Sequence, residues 1–189
     1  MTLRPLATIP LPAIGAEDVV VDTDGAVWTG TEDGSLWRVS PAEGRTTRVA
    51  HTGGRPLGLE LLPDGRILVC DAERGLLAVT PDSGAVERLV TAIDGRPMRF
   101  CNNAAVATDG TIFFTDTSRH YGVRQWKADL LEATSSGRLL VRHPDGAVET
   151  LLDGLEFANG VALSADESFV AVAETGARTI VRHWLSGPR

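Results

Sequence analysis

Val19 to Val49 reads VVVDTDGAVWTGTEDGSLWRVSPAEGRTTRV, and Leu59 to Val90 reads LELLPDGRILVCDAERGLLAVTPDSGAVERLV. Laid over one another, the two stretches keep one order: a short apolar run, an Asp-Gly turn, a second run, a Gly-containing turn and a third run. A Pro-x-x-Gly turn (Pro41 to Gly44, Pro81 to Gly84) and a fourth run then close each copy. Val, Ile, Leu and Trp runs bounded by such turns read as antiparallel strands. A third copy begins AVATDGTIFFTDTS at Ala105 and resumes as GRLLVRHPDGAVETLL at Gly137, and a fourth reads VALSADESFVAVAETGARTIVRHWL from Val161. Their anchor turns, Asp24, Asp64, Asp109 and Asp166, lie 40, 45 and 57 residues apart. Four short strands per unit at that period predict an all-β fold, a β-propeller. A β-sandwich would not give this recurrence.

The expected blades are residues 17–50, 57–91, 102–153 and 159–189, together one partial propeller over residues 1–189. The fourth stops before its last strand. Four blades are few, and an open propeller exposes strand edges and one side of its core. The chain is therefore expected to be the front part of a longer, six-bladed propeller: a fragment, a truncated frame or one piece of an assembly. The third copy carries an insertion over residues 117–136. Within it VRQWKADLLEA has apolar residues at Val123, Trp126, Leu130 and Leu131, which predicts a short helix packed on the end of the propeller. A structural flap and a lid beside a ligand site are both open for it.

One position of the repeat carries chemistry. Glu17, Asn102 and Asn159 each lie seven residues before the anchor turn, and the second copy has Leu57 there. Equivalent positions of a propeller lie around one axis, so three oxygen donors at one offset are expected to converge at a channel mouth. Any one of them alone reads as a turn Asn or a rim charge; ordinary turn usage does not predict the shared offset. Hard oxygen donors favour Ca²⁺, with Mg²⁺ or Mn²⁺ behind it and Zn²⁺ further back, since no Cys/His pair has ligand spacing. One carboxylate is little charge for a divalent ion, so a further acidic ligand is expected.

A second repeated position, Asp71, Asp116 and Glu174, follows the second strand of three copies. Asp after a strand commonly ties down its turn. Asp116 is the candidate for a catalytic role, being beside the insertion and in the blade of Asn102. His120, in the insertion, is the candidate imidazole; His143 and His183 read as structural, and His51 is undecided. The chain has no G-x-S-x-G elbow, phosphate-binding glycine loop or Cys-x-x-Cys.

Composition sets the outer limits. The 189 residues can bury a real core, and 43% hydrophobic with 23% charged is globular usage. A net charge of -7 argues against a nucleic-acid partner. Cys70 and Cys101 are too few for a disulfide framework and read as buried thiols, with a single bridge between them left open. Pro5, Pro10 and Pro12 interrupt any signal-like apolar run, and no stretch is long enough to span a membrane. A cytoplasmic protein without membrane partners is expected.

GRPLGLELLPDGRILVCDAERGLLAV, RFCNNAAVATDGTIFFTDTSRHYG, SSGRLLVRHPDG, FANGVALSADESFVAVAET and RHWLSGP resemble, in order, the strictosidine synthase-like and gluconolactonase superfamily of six-bladed, metal-dependent propellers, which includes the paraoxonases. The first of these stretches is similar to the branch of the adipocyte plasma membrane-associated proteins. The resemblance covers the whole chain but about two-thirds of the family's propeller. It implies Ca²⁺ or another divalent ion on Glu17, Asn102 and Asn159, with a further Asp from a later blade. The acidic residue of strictosidine condensation is likewise expected beyond Arg189. Leu57 stands where paraoxonases carry a His, and Asn102-Asn103 stands where many relatives have Asn-Asp. The activity implied is hydrolysis of a small lactone or ester. Condensation of an amine with an aldehyde, and a non-catalytic binding propeller, are the alternatives.

Overall fold

The structure, a computed structural model, describes residues 8–186. The first seven residues, Pro5 among them, and Gly187 to Arg189 of the expected fourth blade fall outside the described residues.

The chain folds as a succession of antiparallel meanders. The first sheet is β1 (Val19–Val21), β2 (Val27–Gly30), β3 (Ser35–Ser40) and β4 (Arg45–His51), paired in that order. The second is β5 (Pro56–Leu61), β6 (Ile67–Asp71), β7 (Gly75–Val79) and β8 (Val86–Val90). A small hairpin, β9 (Ala92–Ile93) with β10 (Arg96–Pro97), intervenes; the repeat gave no sign of it. The third sheet is β11 (Cys101–Val106), β12 (Ile112–Asp116), β13 (Gly137–Arg142) and β14 (Val148–Leu155). The fourth is β15 (Ala158–Leu163), β16 (Phe169–Glu174) and β17 (Thr179–Trp184).

The core lies between the sheets, not within them. Trp28, Leu36, Ile67, Val69 and Leu77 fill the gap between the first and second sheets. Leu68, Cys70, Leu76, Ile112, Phe114 and Leu140 fill the next, and Phe113, Leu139, Val141, Val170 and Val172 the third. Successive side chains of a strand point to opposite faces. Ile67 and Val69 therefore face the first sheet while Leu68 and Cys70 face the third. Strands sandwiched on both sides read as unbroken apolar runs, and all five residues of β6 and of β12 are buried. The outer faces are different: Val19, Val21 and Ile180 are exposed. Each fully buried Leu, Ile or Phe contributes about 1.5–3 kcal/mol, so the stack is held by these three seams. This is the partial β-propeller that the repeat predicts.

The insertion forms a 3₁₀ turn at Val123–Gln125 and α1 (Trp126–Glu132). Only part of the expected face is buried. Val123 and Leu130 pack on Leu57, Phe100, Ala72 and Phe157, whereas Trp126 is 43% and Leu131 87% exposed. Leu131 follows Leu130 about 100° round the same helix and so turns to solvent when Leu130 faces the blades. Cys70 and Cys101 are both free and buried.

Candidate metal centre

The repeated position sits in a repeated backbone irregularity. In β5, β11 and β15 the register with the second strand shifts between Pro56 and Leu59, Cys101 and Ala104, and Ala158 and Val161. Each shift is a bulge that places two residues opposite one: Leu57-Gly58, Asn102-Asn103 and Asn159-Gly160. A bulge re-aims the side chains it carries. Asn102 and Asn159 thus lie inside their strands, not ahead of them as the sequence suggested; Glu17 does precede β1.

Both amides are held by a threonine hydroxyl. Asn102 Nδ2 donates to Thr117 Oγ1 at 2.8 Å, and Asn159 Nδ2 donates to Thr175 Oγ1 at 3.0 Å. Thr117 spends its one proton on the carbonyl of Ala158, at 2.6 Å. It can only accept from Asn102, which fixes that amide with its nitrogen on Thr117 and its oxygen turned away. Among the described residues no hydrogen bond is donated to either amide oxygen. The same hydroxyl ties Asn102 to the residue preceding Asn159, so the two candidate ligands share one hydrogen-bonded unit. Thr115 extends it: its hydroxyl donates to the carbonyl of Asn159 at 2.7 Å and accepts from the Asn103 N–H at 3.2 Å.

The neighbour of Glu17 makes a link of its own between blades. Asp18 Oδ2 accepts the backbone N–H of Leu59 at 3.0 Å, linking the first blade to the second. Asn103, one repeat position on from Asn102 as Asp18 is from Glu17, makes the matching link to the Val161 N–H at 3.3 Å. An amide serves this role as well as a carboxylate, which is how the chain tolerates Asn103 where Asp is expected. At Gly58 any Cβ would lie 2.7 Å from the Asn102 carbonyl and the Asn103 Cα. That glycine lets the second and third inner strands close up.

Carboxylates gather near the first two inner strands. Loss of hydration, then the charge of Asp18, push the Glu17 carboxyl above its ordinary value, while Arg55 acts against this. The residue is open to solvent as a whole, but protein atoms crowd its carboxyl. Glu60 of β5 is raised by the same two causes. Carboxylates that lose hydration and repel one another ionise reluctantly, which a nearby cation would relieve. Among the described residues no three His, Cys, Asp or Glu side chains cluster as a metal site. The side chains at the repeated position offer one carboxylate, Glu17, and two amide oxygens, of Asn102 and Asn159, which are donor types that suit a hard cation.

The second repeated acid has a uniform task. Asp71 accepts the N–H of Arg55 (3.0 Å), Asp116 that of Phe100 (3.1 Å) and Glu174 that of Glu156 (2.9 Å). Each pins the segment entering an inner strand. Asp116 is fully buried and also paired with Arg138 at 2.5 Å. Burial raises its carboxyl above the ordinary value, against the pull of the Arg138 hydrogen bond and charge. Asp116 therefore reaches the site through Phe100 and Thr117. His120 is exposed on the loop after β12, and only its backbone N–H is engaged, by Ser118. Thr117 and Thr175 escaped the sequence reading, though each directly follows the second repeated acid. The bulges and Asp18 escaped it too.

The insertion stands over the same end. Its base is closed by Ser118 with Ser136 (3.2 Å), and its tip reaches the second blade through Arg124 to Glu73 (3.0 Å). Leu57, at the ligand position of the second blade, packs into the apolar patch under the insertion and does not serve as a donor.

Residues 102–188 match the sequence model of the family described as strictosidine synthase, and residues 2–39 the one described as strictosidine synthase-like, N-terminal. Protein STRICTOSIDINE SYNTHASE-LIKE 10 of Arabidopsis thaliana is 38% identical over 93% of this chain and 53% of its own length. The adipocyte plasma membrane-associated protein of Mus musculus is 36% identical over 92% of this chain and 46% of its own. The chain thus spans about half the length of the curated relatives it matches. Among solved structures, a gluconolactonase from Xanthomonas campestris superimposes with a TM-score of 0.76 at 19% identity, over 93% of this chain and 60% of that one. A calcium-binding regucalcin from Agrobacterium tumefaciens gives 0.73 at 18%, over 93% and 56%. By fold and by sequence, this chain belongs to the strictosidine synthase-like family of β-propellers.

Proposed function

We propose that the protein is a divalent-metal-dependent hydrolase of a small lactone or ester, with Ca²⁺ the favoured ion. The observation that carries this reading is the pair of bulge asparagines with their amide nitrogens tethered to threonine and their oxygens left for a cation. Glu17 would supply the carboxylate, and Asp18 and Glu60 the surrounding negative potential. The gluconolactonase and calcium-binding regucalcin structures share the fold and support the choice of reaction and ion. Mg²⁺, Mn²⁺ and Zn²⁺ rank behind.

A divalent ion held by Glu17, Asn102 and Asn159 would supply Lewis-acid polarisation of a substrate carbonyl. The chain's own residues orient and exclude. Thr117 and Thr175 hold the amides. Asp116 positions the Phe100 backbone, and the apolar patch of Leu57, Phe100 and Phe157 keeps water from one side. His120 is the side chain assigned to proton transfer. The match to the strictosidine synthase model favours, as a second reading, condensation of an amine with an aldehyde. The carboxylates beside Glu17 are Asp18, which is held by the Leu59 N–H, and Glu60. A location in the cytoplasm accompanies the proposal; among the described residues no helix is long and apolar enough to cross a membrane.

The test is calorimetric titration with Ca²⁺ followed by aryl-ester and lactone hydrolysis and an amine–aldehyde condensation assay. Asn159→Ala should abolish both ion binding and Ca²⁺-dependent turnover. Unchanged affinity and turnover in that variant would overturn the reading, and ion binding without any turnover would leave a binding propeller.

A further inference from the structure

Near Glu17, whose carboxyl feels the charge of Arg55, lies a cavity of about 620 Å³ lined by Glu32, Gly54, Arg55, Glu73, Arg124 and Trp126. It is roofed by the insertion and walled by the turns of the first two blades. Its contents are unequal. Arg124 is engaged by Glu73 at 3.0 Å, but Arg55 has no carboxylate within ion-pair distance among the described residues. The Arg55 side chain makes one hydrogen bond, to the adjacent Pro56 carbonyl at 3.3 Å. Its backbone, by contrast, is fixed on both sides: the N–H donates to Asp71 at 3.0 Å, and the carbonyl accepts from Ala72 at 2.9 Å. A guanidinium carried on a pinned backbone, half-buried and without an ionic partner, is placed to meet a ligand.

The surroundings indicate which ligand. Gly15 lies against both charged side chains: a Cβ there would lie 3.0 Å from Glu32 Cβ, 3.4 Å from Glu32 Oε2 and 3.5 Å from an Arg55 terminal nitrogen. Its φ of +75° also disfavours any other residue. Glu32 faces Arg55 without neutralising it. Val123 and Leu130 of the insertion face the apolar patch, and the Trp126 indole is left as a wall of the cavity. Arg is the side chain whose geometry matches a carboxylate with two parallel hydrogen bonds.

We propose that Arg55 and Trp126 form a subsite for a carboxylate-bearing arm of the substrate, so that the preferred ester or lactone carries a second, anionic group. This rests on the hydrolase reading above and adds the substrate class to it. Arg55 takes the carboxylate, Trp126 covers the carbon chain, and the scissile group is left next to Glu17.

The experiment compares 4-nitrophenyl hemisuccinate with 4-nitrophenyl butyrate, esters of similar length of which one ends in a carboxylate. Arg55→Met should lower kcat/KM for the hemisuccinate about 10- to 100-fold, the size expected for one charge-assisted hydrogen-bonded contact. The butyrate should change by no more than about 2-fold. Arg55→Lys should restore part of the loss and guards against misfolding. Equal losses for both esters, or no preference for the hemisuccinate in the parent protein, would overturn the proposal. Succinate itself, titrated and followed by tryptophan fluorescence with Trp126→Phe as control, reads the subsite without turnover. Saturable succinate binding that Arg55→Met abolishes upholds the subsite even if no ester is cleaved, in which case only the hydrolase reading falls. No binding of succinate removes the subsite.

Discussion

Thr117 illustrates how much one buried hydroxyl can organise. It accepts from Asn102, donates to Ala158 and is itself fully buried. Thr117→Val keeps the shape but strands both partners, and buried polar groups left unpaired cost about 1–3 kcal/mol each. We expect a fall in stability of that order in urea denaturation and weaker Ca²⁺ binding by calorimetry, because the Asn102 amide loses its anchor. Asp116 makes a related point. Arg138→Met would leave its carboxylate buried without its ionic partner, and breaking a buried pair costs about 3–5 kcal/mol. Thermal denaturation of Arg138→Met should show that loss, with Asp116→Asn adding far less on top of it. Thr117 and Arg138 were not legible in sequence, whereas Asn102 and Asp116 were, because they recur at fixed offsets. Their tasks were not, since Asp116 reads the same whether it faces a substrate or, as found, Arg138 and the Phe100 N–H.

At the scale of an element, bulge and insertion decide the site between them. The bulge at Asn102-Asn103 arises where Cys101 pairs with Asp116 and Ala104 with Phe114, a mismatch of one residue that no composition rule announces. It is a consequence of pairing, set jointly by two strands. The insertion was legible as a helix from apolar spacing, but spacing could not say which two of its four apolar residues would meet the blades. Leu130→Ala should destabilise the protein by roughly 1–2.5 kcal/mol, below the full core cost because the side chain is partly buried. Leu131→Ala should stay within about 0.5 kcal/mol. Urea denaturation measures both, and limited proteolysis within residues 119–136 should accelerate in the first variant only.

Across the whole molecule, two families of carboxylates oppose one another in their response to pH. The side chain of Arg66 holds Asp64, the Thr111 N–H holds Asp109 and the Ser164 hydroxyl holds Asp166 below the ordinary value of 3.8. These turn aspartates stabilise the fold above that value, and the contribution is lost as pH falls through their lowered values. Glu17, Glu60 and Asp116 are raised, first by lost hydration. Their contribution is present at low pH and is lost as pH rises through the raised values. Thermal stability should therefore peak in mild acid, falling toward neutral pH and again below about pH 4. Circular dichroism melts across that range check it; Asp166→Ala should flatten the acid limb. By itself the sequence determined the strands, their grouping into propeller sheets and the repeated position of Glu17, Asn102 and Asn159, because each is written in local alternation, turn residues and a repeated offset. Tertiary structure alone decided which carboxylates became clamps, which way the Asn102 amide points and that Arg55 has no ionic partner among the described residues. Those outcomes depend on strand register and on contacts between blades, where residues 40 to 60 positions apart come together.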